Sequence, residues 1–269
     1  MGVSTGLNRA ARGGYAARGV VYVIVGALAV LAAIGAGQAE NTRGALRELL
    51  NQPFGSVLLV VVGIGLFAFA GWRFIQAIGD PDGAGTDAKG LLVRVGHFAS
   101  GLIHVGLAVF AISVVFSLSA GSGDGGGGDP TSGWLSWLFG HEWGRYIALA
   151  LACIPIGIGV AHIYKAYKAG FEKYLRPGYN KAGVVKPVCR FALVARGVVF
   201  IVIGILALYG GGIYEASDAP GMEDALAWIQ GLPFGWLALL AIGLGLIAFA
   251  IYAFVEAIFR RIGIEKAGV

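Results

Sequence analysis

Six continuous apolar runs, near residues 17–37, 55–78, 95–118, 145–166, 191–213 and 234–258, dominate this 269-residue chain. Each is long enough to cross the roughly 30 Å hydrocarbon layer of a bilayer as a helix, which takes about 20 residues. The runs are continuous rather than alternating, and a helix satisfies its own backbone hydrogen bonds where water is absent. A chain that is 57% hydrophobic and 13% charged lacks the polar residues to coat a soluble domain. The sequence predicts an all-α polytopic membrane protein with six transmembrane helices.

The runs are also organised. Arg12 and Arg18-Gly19-Val20-Val21-Tyr22 recur at a constant offset as Arg190 and Arg196-Gly197-Val198-Val199-Phe200. A weaker copy keeps Arg94 and Gly101 but has Ser100 in place of the second arginine and His104 in place of the aromatic. The returning helices repeat too: Pro53-Phe54-Gly55 with Gly63-Ile64-Gly65 matches Pro233-Phe234-Gly235 with Gly243-Leu244-Gly245. A fixed period is read before anything else. It divides the chain into three tandem two-helix repeats, 1–80, 81–175 and 176–269, each going out and coming back, so their pseudo-threefold symmetry is parallel, about an axis along the membrane normal.

Between the two helices of each unit lies a short outer segment, Thr42–Gln52, Ser132–Phe139 or Met222–Gly231, mixing apolar residues with charges or caps. Leu46, Leu49 and Leu50 share one face of the first; Trp134 and Trp137 mark the second. Such segments suit short helices lying at the outer interface. Pro53 and Pro233 are expected to start the spans that follow.

With a cytoplasmic amino terminus, all 20 Lys and Arg except Arg43, Arg47 and Arg145 fall on the cytoplasmic side. The positive-inside rule then puts both termini in the cytoplasm. The net charge of +5 is explained by a basic face against anionic lipid headgroups, with no need of nucleic acid. Seven basic residues crowd one inner connection and its flanks: Lys165, Lys168, Lys173, Arg176, Lys181, Lys186 and Arg190. That stretch is the expected patch for headgroups or an acidic partner. The first run resembles a signal peptide, but its internal twin after Arg196 argues that both are retained spans. Cys153 and Cys189 lie at different depths, which argues against a disulfide, and two cysteines make no metal site.

Ionisable groups within spans are functional candidates. Arg18 and Arg196 lie about two turns beyond Arg12 and Arg190; they either snorkel to headgroups or pair with Glu256 or carbonyls in the bundle. Aligning Trp72, Tyr164 and Tyr252 places Gln76, Lys168 and Glu256 at equivalent positions, as the lining of a cytoplasmic vestibule or as ordinary helix-end residues. His97, His104 and His162 are the only positions that invite a haem or metal ligand reading. The alternative is that His104 packs in place of the aromatic seen as Tyr22 and Phe200. No phosphate loop, zinc-protease motif or nucleophile elbow is present. The expectation is a non-enzyme with no resident metal or cofactor.

These residues together resemble the bacterial membrane proteins carrying domain of unknown function 1206. The resemblance rests on the Arg-Gly-Val-Val-aromatic start at Arg18 and Arg196, Ala-Leu before Pro-Phe-Gly at Ala45-Leu46 and Ala225-Leu226, and Gly-x-Gly leading to Trp72 and Tyr252. It spans essentially the whole chain and departs in the second unit at Ser100, His104 and Glu142-Trp143-Gly144. It implies the bacterial inner membrane and no particular activity. The leading expectation is a structural or accessory subunit packing against lipids and a membrane protein partner or a second copy. The rivals are a small solute or ion transporter using the cytoplasmic ends of the repeats, and a haem-binding electron carrier.

Overall fold

The computed structural model describes residues 2–36, 42–119, 143–179, 183–213 and 230–262. Among them are seven α-helices: α1 (Gly2–Ala33), α2 (Thr42–Leu50), α3 (Gly55–Ile78), α4 (Ala88–Ser119), α5 (Gly144–Tyr167), α6 (Val185–Ile213) and α7 (Gly235–Phe259). A 3-10 turn spans Glu172–Tyr174. All but α2 are long and apolar enough to cross a membrane. The first helices of the units start well before the apolar runs, because polar residues such as Lys89, Arg94 and Lys186 continue a helix as readily as apolar ones. The outer segments Ser132–Phe139 and most of Met222–Gly231 lie outside the described residues, as does Lys181.

Packed neighbours run in the order α4–α3–α1–α7–α6–α5, and α4 and α5 share no extended packing. The middle of this arc is the core. About half of the apolar window is buried in α1 (50%) and α7 (56%), against 17% in both α4 and α5, so the second unit forms the two outer ends. Helix α2 tucks Ala45, Leu46 and Leu49 against the C-terminal halves of α1 and α4 and the N-terminal part of α3, leaving Arg47 exposed.

In lipid, apolar side chains gain little by meeting one another, so helices associate where small residues let backbones approach. Gly26 of α1 and Gly243 of α7 face each other so closely that a Cβ on Gly26 would lie 2.8 Å from the Gly243 oxygen, and one on Gly243 would lie 2.7 Å from the Gly26 oxygen. Gly159 of α5 and Gly197 of α6 repeat the arrangement, at 2.5 Å and 2.7 Å. Between α3 and α4 a Cβ on Gly63 would meet Ile112 at 3.1 Å and the Ala108 oxygen at 3.5 Å.

The Pro-Phe-Gly segments give a shared entry to α3 and α7. Each span begins at the glycine, two residues past the proline, because Phe54 (φ 61) and Phe234 (φ 64) take the left-handed conformation. That conformation is uncommon outside glycine. It lets Gly55 donate to the Gln52 oxygen and Gly235 to the Leu232 oxygen, both at 2.8 Å, and turns Phe54 and Phe234 outward, both largely exposed.

At the opposite end, the inner connection after α5 is pinned to the end of α7. Arg176 N donates to Phe259 O and Arg261 N to Tyr174 O, both at 2.8 Å, around an antiparallel bridge of Leu175 with Arg260. Phe171 and Leu175 are buried beneath it.

Candidate functional site

Helix C-termini leave carbonyls without intrahelical donors and carry partial negative charge. Each first helix supplies an arginine to such an end on the neighbouring unit. Arg12 Nη1 donates to Ala257 O (2.7 Å) and Ile258 O, and Nη2 to Arg260 O (3.1 Å). Arg94 Nε donates to Ala77 O (2.7 Å) and Nη2 to Ile78 O (2.9 Å). Arg190 Nη2 reaches Tyr167 O at 3.4 Å. The arginines that open the repeats in sequence are therefore helix caps between units.

Further along the same helices, each interface holds a ring pair: Tyr22 with Phe249 (centroids 5.0 Å apart), His104 with Phe69 (4.6 Å) and Phe200 with His162 (5.8 Å). His104 Nδ1 lies 2.7 Å from Ser100 O, and His162 Nδ1 lies 2.8 Å from Ile158 O. The two imidazoles thus belong to separate interfaces, α3–α4 and α5–α6. His97 is partly buried, with Nδ1 unpartnered. Among the described residues no three His, Cys, Asp or Glu side chains are grouped to hold a metal.

Between caps and ring pairs lies a buried polar cluster. Glu256 Oε1 accepts from Arg260 Nη1 at 2.5 Å, and its Oε2 lies 4.0 Å from Arg18 Nη2. Arg260 Nη2 donates to Asp82 Oδ2 at 2.8 Å, and Gln76 Nε2 donates to the same oxygen at 2.5 Å. Arg73 Nη1 donates to Gln76 Oε1 at 3.0 Å. Arg18, Gln76, Glu256 and Arg260 are all buried, at 6%, 1%, 3% and 4% exposure. Alongside, Trp72 Nε1 donates to the buried Tyr15 hydroxyl at 3.0 Å.

Aromatic faces carry much of the cationic charge. Arg18 lies 4.8 Å from the Phe249 centroid and 5.0 Å from that of Phe69; Arg73 is 4.7 Å from Phe69; Arg196 is 4.0 Å from Phe249 and 4.8 Å from Tyr22 and from Phe200. Arg260 sits over Tyr174 at 4.8 Å. Each such contact is worth about 0.5–2 kcal/mol, whereas an unpaired buried charge costs several.

Of the sequence candidates, Arg18, Glu256 and Gln76 meet in this cluster and Arg196 adjoins it through the Phe249 ring it shares with Arg18, while Lys168 is exposed and lies over Tyr167. Arg73, Asp82, Tyr15 and Arg260 are functional-site residues that spacing alone did not single out; only Arg260, four residues after Glu256, carried a local signal. The basic stretch forms a rim outside the cluster. Lys165 and Lys173 sit over Tyr174 (5.3 and 4.6 Å), Lys186 pairs with Glu172 at 2.6 Å, and Arg176 is exposed. Glu172 titrates below the usual range, chiefly through its hydrogen bond from Lys186. Partial burial, then Glu172, push the Tyr179 hydroxyl up to about 12.

The model of the Domain of Unknown Function (DUF1206) family matches this chain over residues 13–80, 95–169 and 191–260. The uncharacterized protein YxxB of Bacillus subtilis (strain 168) is 31% identical over 263 residues, covering 97% of this chain and 94% of that protein. No solved structure matches. The chain belongs to the DUF1206 family.

Proposed function

We propose that this DUF1206 protein is a non-enzymatic integral protein of the bacterial cytoplasmic membrane, built as three pseudo-equivalent two-helix units with both ends in the cytoplasm. It acts as a structural or accessory subunit that packs against anionic lipids and a protein partner. The observation that carries this reading is the triple use of one arginine: Arg12, Arg94 and Arg190 each cap the end of a helix in the neighbouring unit. The glycine-to-glycine approaches at α1–α7 and α5–α6 support a bundle packed for rigidity. Glu256 and Asp82 face guanidinium partners, which suits a lock between helices more than proton transfer. The outer interfacial position of α2 belongs to the same reading, as does the partner face on α4 and α5, whose apolar windows are the least buried.

The test is photo-crosslinking in native membranes from outward positions on α4 and α5, such as Leu102 and Ile158, against Leu58 on α3. The reading expects one discrete protein adduct confined to the α4 and α5 probes. Lipid adducts alone, together with solute flux in liposomes that Arg18→Ala abolishes, would replace it with the transporter reading. Purified protein is expected to show no Soret band.

A further inference from the structure

We propose that the arginine cluster is a binding site for a phosphate-bearing anion, presented either as a lipid headgroup or as free phosphate. This goes beyond the accessory-subunit reading and stands on the cluster alone. Arg18 lies over Phe69 and Phe249, sharing the first ring with Arg73 and the second with Arg196, and Arg260 lies over Tyr15, which packs on Phe69; Glu256 and Asp82 are the carboxylates among them. Both carboxylates are held at hydrogen-bond distance by Arg260 alone among these arginines. Lys165 adds a cation within electrostatic reach of Glu256. The cluster therefore carries cationic charge that its own acids do not match.

The donors tell the same story. A guanidinium offers five N–H groups, and the Nε of each of the four arginines is buried without a hydrogen-bond partner. Arg18, 6% exposed, lies over ring faces and approaches Glu256 only to 4.0 Å, which is too long for a hydrogen bond. Buried donors are nearly always satisfied, and these Nε groups are donors that an oxyanion could take up. Arg260 uses its terminal donors on Glu256 and Asp82 and Arg73 donates to Gln76, so the donors left over are mainly those of Arg18 and the unpartnered Nε groups; arginine favours phosphate and carboxylate as acceptors for such planar donors. Arg73 and Arg196 are only partly buried, which leaves the cluster an approach. The α3–α4 interface has Ser100 where α1 and α6 have Arg18 and Arg196, so packing of this kind does not itself demand an arginine.

The experiment uses the full chain, purified in phosphate-free detergent and in nanodiscs of phosphatidylcholine with or without phosphatidylglycerol. Binding is read by native mass spectrometry and by 31P NMR with inorganic phosphate as the probe. The expected result is a saturable phosphorus-containing species, weakened at least tenfold by Arg18→Gln and by Arg196→Gln and unchanged by Arg9→Gln, at an exposed position outside the basic stretch. Retention of phosphatidylglycerol that phosphate does not displace assigns the headgroup; saturable phosphate binding in lipid-free detergent assigns the free anion. Absence of binding by the unsubstituted chain in every arm overturns the proposal, and that result does not depend on any variant folding. Equal loss in Arg9→Gln and Arg18→Gln also overturns it, because the binding is then a general effect of surface charge.

Discussion

The α1–α7 and α3–α4 interfaces share most of one plan, and where they differ is instructive. Both have a capping arginine, Arg12 or Arg94, on the end of the partner helix. Both have a ring pair, Tyr22–Phe249 or His104–Phe69, and a glycine against a phenylalanine edge, Gly19 on Phe254 or Gly101 on Phe74. They differ in closeness, Gly26 meeting Gly243 where Gly63 meets Ala108 and Ile112, and in charge between cap and ring: α1 has Arg18, stacked on Phe69 and Phe249 and facing Glu256, where α4 has Ser100. The cap, the ring and the small residue suffice to join two helices. The deep arginine is an addition, and it brings Glu256 and Arg260 with it.

The sharpest way to break this comparison is to unbalance the addition. Glu256→Gln leaves the buried Arg18 without its nearest carboxylate and Arg260 with Asp82 alone, and is expected to cost about 3–5 kcal/mol, read as loss of thermal stability in detergent. A change below 1 kcal/mol would mean the cluster is wetter than its burial implies. Next in size is the close backbone approach, where Gly26→Ala puts a Cβ 2.8 Å from a carbonyl and is expected to cost about 1–3 kcal/mol. Gly106→Ala in α4, with nothing within 4 Å, is the control and is expected to be neutral or slightly stabilising. Equal effects at the two sites would contradict the assigned register.

Capping comes third. Arg94→Ala is expected to cost about 0.3–1 kcal/mol, and Arg12→Ala more, since Arg12 reaches three carbonyls; the order of the two unfolding midpoints is the observable. The smallest effect concerns the turn after α3. Asp80 accepts from Ala84 N (2.6 Å) and Gly85 N (2.8 Å); burial raises its pKa, but these bonds outweigh burial and the net pKa is lowered. Its stabilisation is then present above the ordinary carboxylate pKa and is lost as pH falls through the depressed value. The difference between the unsubstituted chain and Asp80→Asn is expected to shrink over that acidic window, in melts at stepped pH.

Much of this layout was legible in the chain. Six apolar runs fix six long helices, because lipid allows an exposed backbone no other solution, and the recurrence of Arg12, Arg94 and Arg190 marked equivalent places. The pairing of Arg18 with Glu256 was readable as one of two options, since both are ionisable groups within spans. Arg73, Asp82 and Arg260 were not. Arg260 and Asp82 lie just past helix ends, where charge is ordinary, and only folding carries them to each other across 178 positions. Lys168, aligned with Gln76 and Glu256 as vestibule lining or an ordinary helix-end residue, is exposed at the end of α5, one of the two least buried long helices, and does not join the cluster.

The central claim, that the deep arginines are not needed to hold the helices together, is tested most directly by the unfolding midpoint of Arg18→Ser in phosphate-free detergent. Glu256 keeps Arg260 in that variant, so a midpoint within a few degrees of the unsubstituted protein is predicted. Loss of the folded state, or a fall as large as that caused by Glu256→Gln, would show that Arg18 is part of the packing itself.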